Sequence, residues 1–234
     1  MKHWIVGAIL ALVVTSGCAQ SKEDEVRKNM AARYPGIVVE SVVRTALPGI
    51  YEVYANGSII YTDEKVNYLI AEGRLVDART RTDLTSERLQ KLRAIAFDSL
   101  PLNQAFTIVR GTGKRKLAYF ADPNCGYCKR LEKELLSVDD VTLHVFLYPI
   151  LSSDSLDKAR AVWCSSDRAK AWLDWMQKGV VPTGAGCDDP VTKNVQYGRE
   201  KGINGTPTLI FADGSRVPGM LPAAELIKML EAAK

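Results

Sequence analysis

Apolar residues first cluster in a run from Trp4 to Val14, preceded by Lys2 and followed by small residues. This is the order of a secretory leader: charged start, apolar middle, small-residue cleavage region. As a helix the run would span only about 17 Å, well short of a bilayer core, although an uncleaved anchor has the same beginning. Residues 1–21 are therefore read as a signal peptide. Gly17-Cys18-Ala19 and Ala19-Gln20-Ser21 both suit a signal peptidase. Ser16-Gly17-Cys18 also has the form of a lipoprotein processing site, with Cys18 lipidated, but Thr15 stands where such sites usually carry Leu. Either route ends in an oxidising compartment.

Beyond the leader, Glu23 to Tyr34 predicts a helix, ended by Pro35-Gly36. Val38 to Asp77 is β-like. Ile50 to Tyr54 and Ser58 to Tyr61 flank Asn56-Gly57, a pair that tolerates positive φ at both turn positions and so predicts a hairpin. Val66 to Ala71 and Arg74 to Asp77 read as further strands. A module of this size is marginal alone, so it is expected to dock, most simply on a second copy of itself. Leu89, Leu92 and Ala96 recur at helical spacing within Thr85 to Phe97 and predict a connecting helix that stops near Pro101. The expected organisation is residues 22–80 as an N-terminal dimerisation domain, 81–103 as a linker helix and 104–234 as a catalytic domain.

That last domain alternates strand and helix. Lys116 to Phe120 is a strand, and Cys125 to Leu136 is a helix with Cys128, Leu131 and Leu135 on one stripe. Val141 to Tyr148 is a buried strand. Asp154 to Lys178 and Asp189 to Lys201 are helical, Thr208 to Phe211 and Ser215 to Val217 form a hairpin, and Ala223 to Ala233 is a closing helix. The order is that of an α/β layered domain.

Composition narrows the function. The chain of 234 residues is 47% hydrophobic and 25% charged with net charge +4, ordinary values that argue against disorder. Positive and negative residues are mixed, with no basic run to suggest a nucleic-acid surface. The two histidines, His3 and His144, do not build a His-rich metal site. The cysteines are Cys18, Cys125, Cys128, Cys164 and Cys187; without Cys18 an even set remains.

Cys125-Gly126-Tyr127-Cys128 joins a strand to an amphipathic helix. Unpaired amide groups and the helix dipole at that position favour thiolate over thiol. Lys129 and Arg130 add positive charge. Cys125 is the candidate nucleophile and Cys128 the shielded, resolving thiol, three positions further along. A zinc site would need a second closely spaced pair, which Cys164 and Cys187 do not supply. A structural disulfide closed by Cys125 and Cys128 would stabilise little, the loop being short. Cys164 and Cys187 read as a structural disulfide worth about 3 kcal/mol by loop entropy, or as a second redox pair. Asp122 is a turn or capping residue, or a tuner of proton transfer. Trp163, Trp172 and Trp175 read as core or groove residues, and His144 as a packed one.

Phe120-Ala121-Asp122-Pro123-Asn124-Cys125-Gly126-Tyr127-Cys128, followed by Gly205-Thr206-Pro207 and Val217-Pro218-Gly219, resembles the DsbC/DsbG family of periplasmic disulfide isomerases. The Gly-Tyr dipeptide is similar to the DsbC branch. The resemblance implies a thioredoxin-like catalytic domain with a helical insertion, preceded by a small cystatin-like α+β dimerisation domain and a linker helix. It implies catalysis by Cys125 and Cys128, supported by Gly126, Tyr127, Thr206 and a cis Pro207, with the Thr206 backbone pairing with substrate and its hydroxyl touching the sulfurs. Cys164 and Cys187 match the family's structural pair. It further implies a V-shaped homodimer, misfolded disulfide-containing exported proteins as clients, a membrane thiol reductase of the DsbD type as electron donor, no cofactor and no metal. A DsbA-like oxidase is the second reading; Thr206 argues against it, since Val is usual there. A periplasmic holdase is the third.

Overall fold

A computed structural model describes residues 21–233. The predicted leader, and with it Cys18 and His3, lies outside the described residues. Among those described, no helix is long and apolar enough to cross a membrane. The chain divides between Gly73 and Arg74 into two compact units.

The first unit packs one helix on one sheet. Helix α1 (Lys22–Arg33) starts at Ser21, whose hydroxyl accepts the Asp24 N–H, and carries Glu23, Asp24 and Glu25 in its first turn, where acids suit the helix dipole. The sheet runs in chain order: β1 (Val39–Arg44), β2 (Ile50–Ala55), β3 (Ser58–Asp63) and β4 (Leu69–Ala71). The Asn56-Gly57 turn forms as predicted, with φ of 50° and 75°. Val26 and Met30 of α1 meet Tyr51, Val53, Ala55 and Val66 in one small core. The strand expected from Val66 begins only at Leu69. The Asp63 carboxylate accepts the N–H groups of Lys65, Asn67 and Tyr68. That wraps the chain into a turn and turns Val66 to φ 57°.

The second unit opens with a short hairpin of β5 (Val76–Asp77) and β6 (Thr82–Asp83), so the strand read from Arg74 is only its last two residues. Helix α2 (Leu84–Arg93) is capped by Asp83, which accepts the Ser86 N–H. It ends sooner than the Leu89–Leu92–Ala96 spacing predicts. Ala94 is extended (ψ 141°), and the Ile95 N–H bonds the Gly214 carbonyl instead of continuing the helix.

A five-stranded sheet then forms. Its strands are β7 (Phe106–Arg110), β8 (Arg115–Ala121), β9 (Val141–Leu147), β10 (Thr208–Phe211) and β11 (Arg216–Pro218), ordered β11-β10-β8-β9-β7. β8 and β9 are parallel, joined through α3 (Gly126–Glu134); the other pairings are antiparallel. Strand β7 is not anticipated by the sequence reading, although Phe106 and Ile108 alternate with exposed Thr107 and Val109. Between β9 and β10 lie α4 (Ser153–Trp163), α5 (Arg168–Leu173) and α6 (Val191–Glu200), and α7 (Ala223–Ala232) closes the chain. The predicted helical stretch 154–178 is broken after Trp163 and widens into a π-helical turn at Asp174–Lys178. Helices cover both faces of the sheet. Leu117, Tyr119 and Ala121 of β8 point into one core and Ala118 and Phe120 into the other, the period-two alternation of a buried strand.

Candidate active site

The strand β8 ends at Ala121, and the next four residues are fixed by hydrogen bonds before α3 begins. The buried Asp122 carboxylate accepts from the N–H groups of Asn124, Ile150 and Leu151 and from the Ser155 hydroxyl, at 2.7–2.9 Å. Four donors around one carboxylate make it an anchor for the loop. The Asn124 amide reaches Asp154 at 2.7 Å. The Trp175 indole N–H donates to the Pro123 carbonyl.

Cys125 is the N-cap residue of α3, and its sulfur accepts the Cys128 N–H at 3.2 Å. Gly126, with open space around its Cα, starts the helix, and Tyr127 is exposed. The Thr206–Pro207 bond is cis and brings the Thr206 carbonyl to 3.2 Å from the Cys125 sulfur, whose S–H donates to it. The Thr206 hydroxyl is buried beside the two sulfurs. Thus Cys125, Gly126, Tyr127, Cys128, Thr206 and Pro207 come together from segments some 80 positions apart.

The two sulfurs differ sharply. Cys125 ionises at about 6, below its ordinary 9.0. The Cys128 thiol donating to it is the largest cause, burial opposes, and the Thr206 hydroxyl and the Cys128 and Tyr127 N–H groups add to the lowering. Cys128 is driven the other way, first by burial, then by its bond to Cys125 and by the Cys125 charge. Cys125 is less open than a helix terminus suggests, at 5% exposure against 1% for Cys128, because the Thr206–Pro207 segment covers it. The cations of Lys129 and Arg130 turn to aromatic faces: Lys129 Nζ lies 4.5 Å from the Trp175 ring centre, and Arg130 5.3 Å from that of Tyr127.

Cys164 and Cys187 are bonded to each other, with Cα atoms 5.6 Å apart. Among the described residues no three His, Cys, Asp or Glu side chains gather as metal ligands. His144 packs edge-on against Phe97. The sequence reading misses Glu132, which is fully buried beneath the site and accepts from Tyr119 and Trp172. It falls on the same helical stripe as Cys128, but its charged neighbours Lys129, Arg130, Lys133 and Glu134 mask it in the sequence.

A thiolate at the start of the helix of a βαβ unit, a second thiol one turn inside and a cis-proline segment laid across the pair from just before β10 define a thiol–disulfide exchange enzyme of thioredoxin-like fold. The comparisons agree. Residues 102–234 match the thioredoxin-like domain family and residues 17–86 the disulfide bond isomerase protein N-terminal domain. A probable thiol:disulfide interchange protein DsbC of Bordetella parapertussis is 48% identical over 203 residues, covering 87% of this chain and 72% of the relative. The thiol:disulfide interchange protein DsbC of Escherichia coli is 26% identical over 228 residues, 94% of this chain and 92% of that one. The crystal structure of a disulfide interchange protein from Neisseria gonorrhoeae is 44% identical with TM-score 0.56, covering 57% of this chain and 98% of its own. The chain belongs to the DsbC family of thiol:disulfide interchange proteins.

Proposed function

We propose that Cys125 attacks non-native disulfides of misfolded exported proteins in the periplasm, and that Cys128 resolves the resulting mixed disulfide unless the substrate rearranges and leaves first. The observation that carries this is the geometry of the two sulfurs: Cys125 caps α3 and accepts the Cys128 N–H, which favours its thiolate, while Cys128 lies one turn deeper, where burial holds its thiol protonated. At pH 7 an ionisation at about 6 leaves about ten thiolates per thiol. Attack opens the substrate S–S bond, joins one substrate sulfur to Cys125 and releases the other as a thiolate. Attack by Cys128 on Cys125 then frees the first substrate sulfur, leaving a Cys125–Cys128 disulfide. When another substrate thiolate attacks instead, the substrate departs with a new pairing and the enzyme thiols are restored.

Isomerisation needs the dithiol form, so a membrane thiol reductase of the DsbD type is the electron donor. Residues 22–80 form the dimerisation domain, residues 81–103 the linker and 104–234 the catalytic domain of a homodimer. Gly126 and Tyr127 shape the helix start, and Thr206 and Pro207 flank the sulfur. Rescue of a scrambled multi-disulfide protein by the full chain tests the reading. Wild type should restore activity and Cys125→Ala should not; equal rescue by both would leave only a holdase. A monomeric mass in solution would remove the homodimer, and a resting disulfide in the exported compartment would favour an oxidase.

A further inference from the structure

Trp175 is the second residue of the π-helical turn Asp174–Lys178. Turns of this kind are rare and are found mostly at functional sites. Asp174 steadies the turn by accepting from both Lys170 and Lys178. The indole that the turn presents is joined to the residues on either side of Cys125. Its N–H bonds the Pro123 carbonyl, two positions before the nucleophile. Its ring takes Lys129 Nζ at 4.5 Å and Lys158 Nζ at 4.7 Å from the centre. The Lys129 N–H bonds the Cys125 carbonyl, one helical turn back along α3. Lys158 bonds Asp154, which also accepts the side-chain amide of Asn124, the neighbour of Cys125. Three segments of the chain thus gather two ammonium groups on one ring beside the attacking residue.

The charges there are not balanced. Asp154 is paired with Lys158. Lys129 has no ion pair among the described residues, and Arg130, over the Tyr127 ring, has none either. The nearby Asp122 carboxylate is already held by four donors. An exposed lysine contributes little to binding because a long side chain must be ordered to make the contact. Here the ring has already ordered both lysines, so a carboxylate arriving at them meets groups that are in place. Both lysines and Trp175 are only partly buried, and a client side chain can reach them.

We infer that Lys129 and Lys158, held on Trp175, form a subsite for an acidic side chain of the client next to the cystine that Cys125 attacks. The inference rests on the reading of Cys125 as the thiolate that attacks client disulfides. A thiolate repels a carboxylate, so a cystine flanked by Asp or Glu would be a slow substrate for a bare Cys125. Two cations beside the sulfur reverse that order. Their attraction acts on the encounter, so it appears in the second-order rate of attack. A basic residue beside the cystine meets two like charges and gains nothing.

The test uses the reduced full chain and two short peptides. These differ only in carrying Glu or Lys on both sides of one cysteine, and each is joined through that cysteine to a chromogenic aromatic thiol. Attack by Cys125 on the peptide sulfur joins peptide to enzyme and expels the aromatic thiolate, whose absorbance gives the rate. The quantity read is the rate with the Glu peptide over that with the Lys peptide, divided by the same ratio for mercaptoethanol. This cancels the intrinsic reactivity of the peptides and any change in Cys125 itself. Wild type should give about ten at low salt, falling towards one at about 0.5 M salt as the charges are screened. Lys129→Gln and Lys158→Gln should each lower the low-salt ratio about threefold, and the double variant should abolish the preference. A wild-type ratio at or below one overturns the inference, as does a ratio undiminished in the double variant. Should the double variant not fold, wild type decides alone. A ratio unmoved by salt, or a Trp175 indole N–H resonance that stays in place when the Glu peptide is joined to Cys125, overturns the inference. Release by Cys125→Ala as fast as by wild type would instead remove the reading of Cys125 on which the subsite rests. Equal, Cys125-dependent release of both peptides would remove the subsite alone.

Discussion

The indole of Trp175 donates its N–H to the carbonyl of Pro123 at 2.7 Å, tying a π-helical turn 52 positions away to the loop in front of Cys125. Lys129 and Lys158 both lie over the same ring, at 4.5 and 4.7 Å from its centre. Trp175→Phe keeps an aromatic face but loses the hydrogen bond and weakens the cation contacts. A loss of about 1–2 kcal/mol is expected, measured by denaturant unfolding. An unchanged midpoint would show that this tether does not hold the loop.

Cys125 should react as a thiolate well below the range of an ordinary cysteine. In the reduced protein its alkylation rate should be half-maximal near pH 6 and nearly flat above pH 7. Cys128 should stay unlabelled at neutral pH, its thiol being held protonated by burial and by the Cys125 charge. Mass mapping of the alkylated cysteine checks both; preferential labelling of Cys128 would reverse the assignment.

The same ionisation makes the stability of the reduced protein depend on pH. Cys125 ionises at about 6 when folded, against 9.0 for the unperturbed group. Between those values the unfolded chain binds the extra proton, so stability rises with pH there, by up to about 1.4 kcal/mol per pH unit. The contribution is complete above 9 and is lost as pH falls through 6. Cys128, whose folded ionisation is raised, works against stability once the unfolded thiol ionises above 9. Unfolding of reduced wild type and of Cys125→Ala at pH 5, 7 and 9 isolates the effect. The two should converge at the acid end and separate towards pH 9; parallel curves would refute it.

Replacing Cys164 and Cys187 with serine opens a crosslink that spans 23 positions. A loss of about 3 kcal/mol is expected from loop entropy. Exchange with a scrambled substrate should persist below the lowered melting temperature. Loss of exchange in protein that is still folded would mean that this pair also relays electrons.

Features set by a few neighbouring residues were legible in the sequence. The Asn56-Gly57 turn follows from the φ tolerance of those two residues, and the helix after Cys125 from the stripe Cys128, Leu131, Leu135. Features set by distant partners were not. Strand β7 exists because residues 106–110 find residues 141–145 across a sheet edge, which its five residues do not announce. Glu132 sits among Lys129, Arg130, Lys133 and Glu134 and resembles one more solvated charge. It is Trp172, 40 positions on, that encloses it. Val66 looked like the start of a strand because the Asp63 side chain that bends the chain there competes with the ladder in a way periodicity does not register. The Cys-x-x-Cys and the cis proline were legible as motifs, but the partial cover over Cys125 is a property of their meeting.

Strand β8 carries a last consequence. Its odd-numbered residues Leu117, Tyr119 and Ala121 face the layer that contains Glu132 and Cys128, while Ala118 and Phe120 face Phe146 and Tyr148 on the opposite side. Deleting a single residue between Leu117 and Ala121 would therefore exchange the environments of a phenol and a phenyl ring. The hydroxyl would lose its carboxyl partner, and a benzene edge would arrive against an acid that needs a donor. Evolution can lengthen the loops around this enzyme far more freely than it can change the count of residues leading to its sulfur.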